Sequence, residues 1–499
     1  ELAALADSNT DADHTTSALP RVADITRPDT VPASYGQQAL WLIDQTNQSK
    51  SQYVVPLILK FTGTLVPQTF EQALRDVVIR QEALRTRLIE QDDILIQDII
   101  PANKIPDMLT LPVVELTGRS EQQVIEHIDT IIQAGFALDR DIPIRGELLH
   151  TGDDTWILAL AIHHHAVDEW SMPSLTDDLA TAYTARLHGQ TTNWDNLPVQ
   201  YAEYATWQHQ FLGDPNDPDS LLAKHLDYWK NQLSAVPDES TITPDRPRPV
   251  QPTYAGQDLT TTLPASTTAT LRNVLDDRNI TMFMAVQAAT AITVSSLGAG
   301  DDVVIGSPVG GRTEDGLENL VGYFVNTLPL RHRLSPEFLL TDVLDNTRDL
   351  VLDGFAHQVA PFDQIARTVN SPRLAGRNPL FQVMLTHHAI NAEYLESAGF
   401  AEGKGGLLAS RYSNVGINSV KNDLDVYTIG AAGRSNQLSI TVSYSTELFD
   451  HRTINRFLSV FVGVLDTMAT APDTRVGDLD VLTDADRDNI TTWSVGEEL

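Results

Sequence analysis

Residues 156–170, WILALAIHHHAVDEW, join an apolar run to a cluster of ionisable side chains. The apolar part, residues 156–162, is continuous and of strand length, which is typical of a strand that is buried on both faces. After the cluster, residues 174–187 have apolar residues at helical spacing, and Ser174 with Asp177 forms a capping-box-like start. A buried strand that leads into an amphipathic helix indicates a mixed α/β fold.

Strands and helices alternate in both directions from this stretch. Residues 57–65 (LILKFTGTL) are predicted as a strand, and residues 68–88 are predicted as an amphipathic helix from their apolar periodicity. Residues 282–298 are apolar on nearly all sides, so we expect a buried helix there. We therefore predict an α/β chain of two lobes that divides near the proline-bearing stretch at residues 193–199.

The composition excludes several classes of function. The chain has 499 residues, and 67 Asp and Glu against 34 Lys and Arg give a formal net charge of −33 at pH 7. This charge argues against nucleic acid or an anionic membrane surface as a partner, because both are polyanions. No uninterrupted apolar run approaches the roughly 18 residues of a membrane span, and no signal-peptide pattern is present. With no Cys, disulfides and thiolate chemistry are excluded, and we expect an acidic, cytoplasmic protein.

Three histidines stand at the end of the predicted buried strand. Because side chains alternate along a strand, we expect His164 on the same side as Ile162. His163 and His165 then point the other way, so one metal ion cannot bind all three. A histidine here, with Asp168 four residues later, suits a general base whose loop is held by a carboxylate contact. A histidine cluster that is satisfied by backbone carbonyls fits this segment equally well.

The sequence motifs of several other enzyme classes are incomplete or absent. Residues 306–312 (GSPVGGR) have the glycines of a phosphate-binding loop but lack its Lys-Ser/Thr, and neither GxSxG nor GxGxxG occurs. Phosphate transfer and dinucleotide binding are therefore disfavoured. The second histidine pair, His387-His388, follows a strand-like run without a nearby carboxylate, and we interpret it as structural.

Seven short motifs occur in order along nearly the whole chain. They are SYGQQALWL at 34–42, RQEALRT at 80–86, HHHAVDE at 163–169, YAEYATW at 201–207, VGYFVNT at 321–327, HQVAPFD at 357–363 and RNPLFQVM at 377–384. Together they resemble the motifs of the condensation domains of nonribosomal peptide synthetases. The third is similar to the H-H-x-x-x-D-G of that family, with Glu169 in place of its glycine.

The resemblance implies two chloramphenicol-acetyltransferase-like lobes in a V arrangement, with a substrate tunnel at their junction. The N-terminal lobe would be residues 28–196, with the histidine motif, and the C-terminal lobe residues 197–482. Residues 1–27 resemble the remnant of an upstream carrier-protein helix plus a linker. Residues 483–499 resemble the start of a linker to a downstream adenylation domain. We expect such a domain to be monomeric when excised.

The resemblance also implies a reaction and its partners. An upstream donor carrier protein and a downstream acceptor carrier protein would each deliver a thioester on 4'-phosphopantetheine, with no intrinsic cofactor and no metal. The acceptor amine would attack the donor thioester carbonyl and form a peptide bond. One alternative is an epimerisation domain, which shares the histidine motif. Others are a catalytically inactive docking platform that recruits another enzyme, and a freestanding acyltransferase that uses coenzyme A thioesters.

The match to the family motif assigns roles to individual residues. His164 is the centre of the chemistry, as a base or as the group that orients the amine, and His163 and Asp168 complete the catalytic set. Asp168 is expected to be mainly structural, in an ion pair with Arg80 that fixes the histidine loop. Arg85 is the second choice for that pair.

Four residues are expected to line the substrate tunnel, namely Glu169, Trp170, Asn326 and Ser307. Glu169 departs from the family motif, which has glycine at this position. Glycine would leave bare backbone close to the tunnel, whereas Glu adds volume and charge. It would narrow the acceptor side, contact a cationic amine, or turn into a pocket or to solvent. The Trp-Ser-Met that follows Glu169 is more like the subtype that accepts an L-configured donor.

Overall fold

The structure is a computed structural model, and it describes only part of the chain. The described residues are 21–46, 50–370, 377–388, 400, 407–412, 419–430, 437–482, 486–487 and 490–491. Most of the predicted carrier-protein remnant and linker, residues 1–27, and most of residues 483–499 lie outside this part.

Thirteen strands are present in the described residues: β1 (Val54–Thr62), β2 (Thr86–Gln91), β3 (Ile94–Ile99), β4 (Val113–Glu115), β5 (Ile144–Gly152), β6 (Thr155–His163), β7 (Gly256–Leu263), β8 (Asp302–Val309), β9 (Asn326–Arg333), β10 (Val383–His388), β11 (Leu408–Arg411), β12 (Leu424–Ile429) and β13 (Leu438–Ser445). The sheet of the N-terminal lobe has the order β11-β1-β6-β5-β4, and that of the C-terminal lobe has the order β7-β13-β12-β10-β8-β9. Strands β2 and β3 form a separate ribbon. The predicted mixed α/β fold is thereby confirmed.

The α-helices of the same described residues are α1 (Tyr35–Thr46), α2 (Pro67–Arg80), α3 (Ile105–Met108), α4 (Glu121–Gln133), α5 (Met172–Leu187), α6 (Tyr201–Leu212), α7 (Leu221–Gln232), α8 (Ala265–Asp276), α9 (Met282–Val294), α10 (Leu340–Ala356), α11 (Phe362–Val369) and α12 (His451–Thr470). Two predicted helices differ in their bounds. Helix α2 ends at Arg80, because the chain then turns through a short 3-10 helix into β2. Helix α5 begins two residues before Ser174, with Pro173 in its first turn, where a missing N–H costs nothing.

The two predicted buried elements lie in the cores of the lobes. Strand β6 is paired on both sides, with β1 and β5, and residues 157–163 are buried. Helix α9 is buried from Met284 to Val294, between the C-terminal sheet and the helices α10 and α12. With the turn after it, α9 is long and apolar enough to cross a membrane by length and composition alone. Its burial on all sides identifies it as a core helix of the C-terminal lobe.

The division predicted at residues 196/197 does not separate the cores of the two lobes. Helix α6 packs on the N-terminal core through Tyr201 and Tyr204. Residues 310–325, which we name the crossing segment, reach the same core with Val321 and Phe324, and β11 extends the N-terminal sheet beside β1. The lobes therefore exchange segments, which fixes one lobe against the other.

The crossing segment passes so close to α6 that one position has no room for a side chain. A Cβ atom on Gly322 would lie 2.3 Å from Cδ2 of Tyr201 and 2.7 Å from Cε2 of Phe324. Both rings are buried and cannot move aside without disturbing the N-terminal core.

We predict that Gly322→Ala lowers the free energy of unfolding by about 1–3 kcal/mol, because it overpacks this contact. Gly463→Ala in α12 is the matched control, since no atom lies within 4 Å of its added Cβ. That control should be neutral or stabilising by up to about 1 kcal/mol, because alanine is the better helix former. Urea unfolding measures both values. Equal stability of the two variants would contradict the tight packing of the crossing segment.

Candidate active site

A cavity of about 940 Å³ lies between the two lobes. The N-terminal lobe contributes His164, Glu169 and Trp170 to its wall, and the C-terminal lobe contributes residues of β9, β10 and β12. Drug-sized ligands typically occupy pockets of ~300–1,000 Å³, so this cavity can hold the ends of two substrates. Three of the four predicted tunnel residues, Glu169, Trp170 and Asn326, line it.

His164 is held in one orientation at the end of β6. Its backbone N–H donates to the carbonyl of Tyr53 at 2.8 Å, and its ring Nδ1 lies 2.7 Å from the carbonyl oxygen of Val167. A carbonyl only accepts hydrogen bonds, so Nδ1 carries the proton and the lone pair of Nε2 is free. The ring of Tyr323 packs edge-on against the imidazole, with 5.0 Å between the ring centroids.

The imidazole of His164 is neutral over the physiological pH range. Burial lowers its pKa to about 3, and the positive charge of Lys421 acts in the same direction. A neutral imidazole with a free Nε2 can accept a hydrogen bond from an amine. Because its pKa is low, the imidazole is a weak base and is poorly suited to removing the proton from the amine.

His163 and His165 lie behind the cavity wall and do not line the cavity. The Nε2 of His165 donates to the carbonyl of Thr86 at 3.1 Å, and the backbone N–H of His165 donates to Nδ1 of His163 at 3.2 Å. The Nδ1 atoms of the two rings lie 2.8 Å apart. His163 also packs edge-on against Phe136 on the opposite side of the sheet from His164. His163 and His165 thus point away from His164, as predicted, although β6 ends at His163 and the next two histidines lie in a short 3-10 helix. In the described ranges no group of three potential ligands could hold a metal ion.

Asp168 is fully buried and connects the histidine loop to the crossing segment. Its carboxylate accepts hydrogen bonds from the backbone N–H and the hydroxyl of Ser171 at 2.9 and 2.7 Å. From the crossing segment, Arg312 donates two bonds at 2.9 Å each, and the Phe324 N–H donates one at 3.0 Å. Both carboxylate oxygens are thus satisfied, which a buried charge requires.

The predicted ion pair of Asp168 with Arg80 was wrong. Arg80 lies at the end of α2 and its Nε is 3.1 Å from the carboxylate of Asp178 on the adjacent α5. Arg85, the second choice, donates instead to Glu82 at 3.2 Å and to a backbone carbonyl. Neither arginine forms an ion pair with Asp168, whose cationic partner comes from the crossing segment.

The true partner, Arg312, belongs to the glycine-rich stretch at residues 306–312. Gly311 has φ +64°, and a Cβ there would lie 2.0 Å from the carbonyl oxygen of Phe324. The glycine therefore lets the chain turn back tightly at this point, which carries Arg312 toward Asp168. The guanidinium also lies over the ring of Phe324, 4.3 Å from its centroid. The glycines followed by an arginine were the signal in the sequence, although they failed as a phosphate-binding template.

Ser307 does not line the cavity, contrary to the prediction. It is buried, and its hydroxyl donates to the Gln287 side chain of α9 at 3.1 Å. Alternation along β8 turns Ser307 toward the core and gives the next residue, Pro308, to the cavity wall.

Asn326 lines the cavity, but its amide is fully used in holding a loop. Its Nδ2 donates to the carbonyls of Gln358 at 2.8 Å and Ala360 at 2.7 Å. Its Oδ1 accepts from the N–H of Phe362, the first residue of α11, at 3.0 Å. Asn326 therefore shapes the cavity by fixing this loop.

Glu169 and Trp170 reach from the histidine loop to the C-terminal lobe. A carboxylate oxygen of Glu169 lies 3.2 Å from Nε2 of His388 on β10, and Glu169 remains about half exposed, at 47%. Trp170 packs over Gly310, where a Cβ would be 3.4 Å from its ring. Of the second histidine pair, His387 has a structural contact with Thr428 at 2.9 Å, whereas His388 faces Glu169.

We predict that Arg312→Met costs about 3–5 kcal/mol of folding free energy, because it leaves the carboxylate of Asp168 buried without its cation. A double-mutant cycle with Asp168→Asn, measured by urea unfolding, should give a large coupling energy. The matched control is Arg80→Met in the same cycle, which should be additive with Asp168→Asn within about 0.5 kcal/mol. A large coupling energy between Asp168 and Arg80, and none between Asp168 and Arg312, would contradict the Asp168–Arg312 ion pair.

Comparisons with known proteins extend over nearly the whole chain. A family model described as "Condensation domain" matches residues 27–491. The chain is 36% identical over 475 residues to the probable non-canonical nonribosomal peptide synthetase CymA of Salinispora arenicola, covering 95% of this chain and 6% of the relative. It is 32% identical to the dimodular nonribosomal peptide synthase of Bacillus subtilis, covering 97% of this chain and 20% of the relative. The chain thus spans a fifth or less of these relatives.

A solved structure resembles the chain over nearly its whole length. The complex of the X-domain and OxyB from teicoplanin biosynthesis contains a chain that superposes with a TM-score of 0.84 at 27% sequence identity. The alignment covers 94% of this chain and all of the other chain.

Proposed function

Because this chain belongs to the condensation domain family of nonribosomal peptide synthetases, we propose that it forms an amide bond between two carrier-bound thioester substrates. The donor would be an acyl or peptidyl thioester, and the acceptor an aminoacyl thioester with a free amine. The observation that carries this proposal is the free Nε2 of His164, oriented by Val167 in a cavity that both lobes line.

In this mechanism His164 orients the acceptor amine. An α-amine has a reference pKa of about 8, so part of it is neutral at pH 7 and can attack without a strong base. With a pKa of about 3 for His164, full protonation of the imidazole at pH 7 costs on the order of 5 kcal/mol. The imidazole therefore accepts a hydrogen bond from the amine and aligns its lone pair with the thioester carbon. Placing the two reactants in contact supplies much of the rate.

The partners that this function requires are an upstream donor and a downstream acceptor carrier protein. Each would bring its substrate on a 4'-phosphopantetheine arm, and an adenylation domain would load the acceptor. No resident cofactor or metal takes part in the proposed step, and we propose that it occurs in the cytoplasm. The direct attack of nitrogen on the donor carbonyl needs no acyl-enzyme intermediate.

A docking platform is the second candidate, and one observation favours it. The chain resembles an X-domain whose structure is a complex with OxyB. The oriented imidazole of His164 and the cavity around it favour catalysis over docking alone. Epimerisation ranks third, because Trp170-Ser171-Met172 resembles the L-donor subtype of condensation domain.

We predict that His164→Ala slows transfer between two loaded carrier proteins by about 10²-fold or more, because the amine loses its orienting acceptor. Intact-protein mass spectrometry follows the acyl mass from donor to acceptor. His451→Ala, on the exposed side of α12, is the matched control and should keep the wild-type rate. No transfer by folded wild-type protein that still binds both carriers would replace this proposal with the docking platform.

The dependence of the transfer rate on pH gives an independent prediction. Because the pKa of His164 lies at about 3, His164 stays neutral from pH 5 to 9, and only the acceptor amine titrates there. The rate should rise with pH through the amine pKa near 8, as roughly one ionisation. A second inflection near pH 6.5 in single-turnover rates, absent from His164→Ala, would show that the imidazole itself titrates and would contradict this account.

A further inference from the structure

The cavity wall carries a cation that the proposed mechanism does not use. Lys421 lines the cavity just before β12, at the end of the C-terminal sheet that faces the histidine loop. Among the described residues, no carboxylate oxygen lies within 4.0 Å of the Lys421 ammonium nitrogen. The other basic residue that lines the cavity, Arg377, lies 3.9 Å from Glu239.

The ammonium of Lys421 lies over the ring of Tyr53, which is next to the imidazole of His164. Its Nζ is 5.1 Å from the ring centroid of Tyr53, which is a cation–π distance. The backbone carbonyl of Tyr53 accepts a hydrogen bond from the backbone N–H of His164 at 2.8 Å. The ring centroids of Tyr53 and His164 are 6.5 Å apart. The ring of Tyr53 thus lies between the Lys421 ammonium and His164, the proposed orienting group.

Two carboxylates favour the charged form of Lys421. Burial lowers the pKa of Lys421, whereas Asp425 and Glu169 act in the opposite direction. Asp425 is itself buried, which raises its own pKa, and it accepts a hydrogen bond from the Asn422 side chain at 2.6 Å. A positive charge on the cavity wall attracts any negative charge that forms nearby.

We propose that Lys421 stabilises the oxyanion that forms on the donor carbonyl, an inference that rests on the proposed function. When the amine nitrogen bonds to the thioester carbon, the π pair of the carbonyl moves to oxygen, and the ammonium of Lys421 pairs with that negative charge. The carbonyl then re-forms as the carbon–sulfur bond breaks. The pantetheine leaves as a thiolate that takes up the proton lost by nitrogen, which gives an amide and a thiol.

The alternative use of the same charge is recognition of a substrate carboxylate. A carboxylate anchor would matter only for acidic substrates, whereas an oxyanion forms with every substrate. The two uses therefore differ in how a Lys421 variant depends on the acceptor.

The first experiment compares single-turnover transfer rates of Lys421→Met and Lys421→Arg with glycyl, leucyl and aspartyl acceptors. Removing one oxyanion donor typically costs ~10²–10³ in rate. We expect a loss of that size in Lys421→Met with all three acceptors, at unchanged half-saturating carrier concentration, and partial rescue by arginine. Lys224→Met, whose Nζ donates to the carbonyl of Asp219 on the surface, should keep the wild-type rate. Thermal unfolding of each variant establishes that it is folded.

The second experiment measures binding and needs no turnover. The probes are a pantetheine chain that ends in a phosphonate, which mimics the anionic tetrahedral state, and the same chain ending in a methyl ketone. Calorimetry should show at least about tenfold tighter binding of the phosphonate by the wild type. That preference should be lost in Lys421→Met and kept in Lys421→Arg.

Several outcomes would overturn the role of Lys421. These are wild-type rates in folded Lys421→Met, a loss confined to the aspartyl acceptor, and a phosphonate preference that is absent from wild type or survives the substitution. They differ from a failure of the proposed function, in which the wild type transfers nothing to any acceptor.

Discussion

The buried contact between Asp168 and Arg312 holds the site together. A fully buried carboxylate is costly unless it is paired and hydrogen-bonded, and Asp168 meets this condition only when the crossing segment lies against the histidine loop. The hydroxyl of Ser171 adds to the same contact, since the Gly322 N–H donates to it at 3.1 Å. Displacing the crossing segment would leave the carboxylate of Asp168 buried without its cation.

This contact sets the geometry in which chemistry is proposed. The crossing segment places Tyr323 against the imidazole of His164, and Val167, the residue before Asp168, fixes the proton on Nδ1. Lys421 approaches the same centre from the C-terminal lobe. The reactive surface is therefore built from both lobes, which is why one lobe alone contains no complete site.

Local patterns in the sequence predicted the local parts of this arrangement. The apolar run before His163 predicted the central strand β6. His164 points away from its two neighbours as expected, although it lies in a 3-10 helix just past the strand. Long-range partners could not be obtained in this way. The candidates that were considered for Asp168 were Arg80 and Arg85, whereas the actual partner, Arg312, is 144 residues away and is brought close by a turn at Gly311. Ser307 was misplaced for a related reason, because the sequence does not say which face of β8 meets the cavity.

The central claim is that the buried framework holds His164 neutral, with the proton on Nδ1 and a free Nε2. The most direct test is nitrogen-15 NMR of the His164 side chain in wild-type protein between pH 5 and 8. The account predicts a neutral ring throughout this range, with a protonated Nδ1 and an unprotonated Nε2, and a mixture of tautomers in Arg312→Met. A ring that titrates near pH 6.5, or that carries its proton on Nε2 in the wild type, would contradict it.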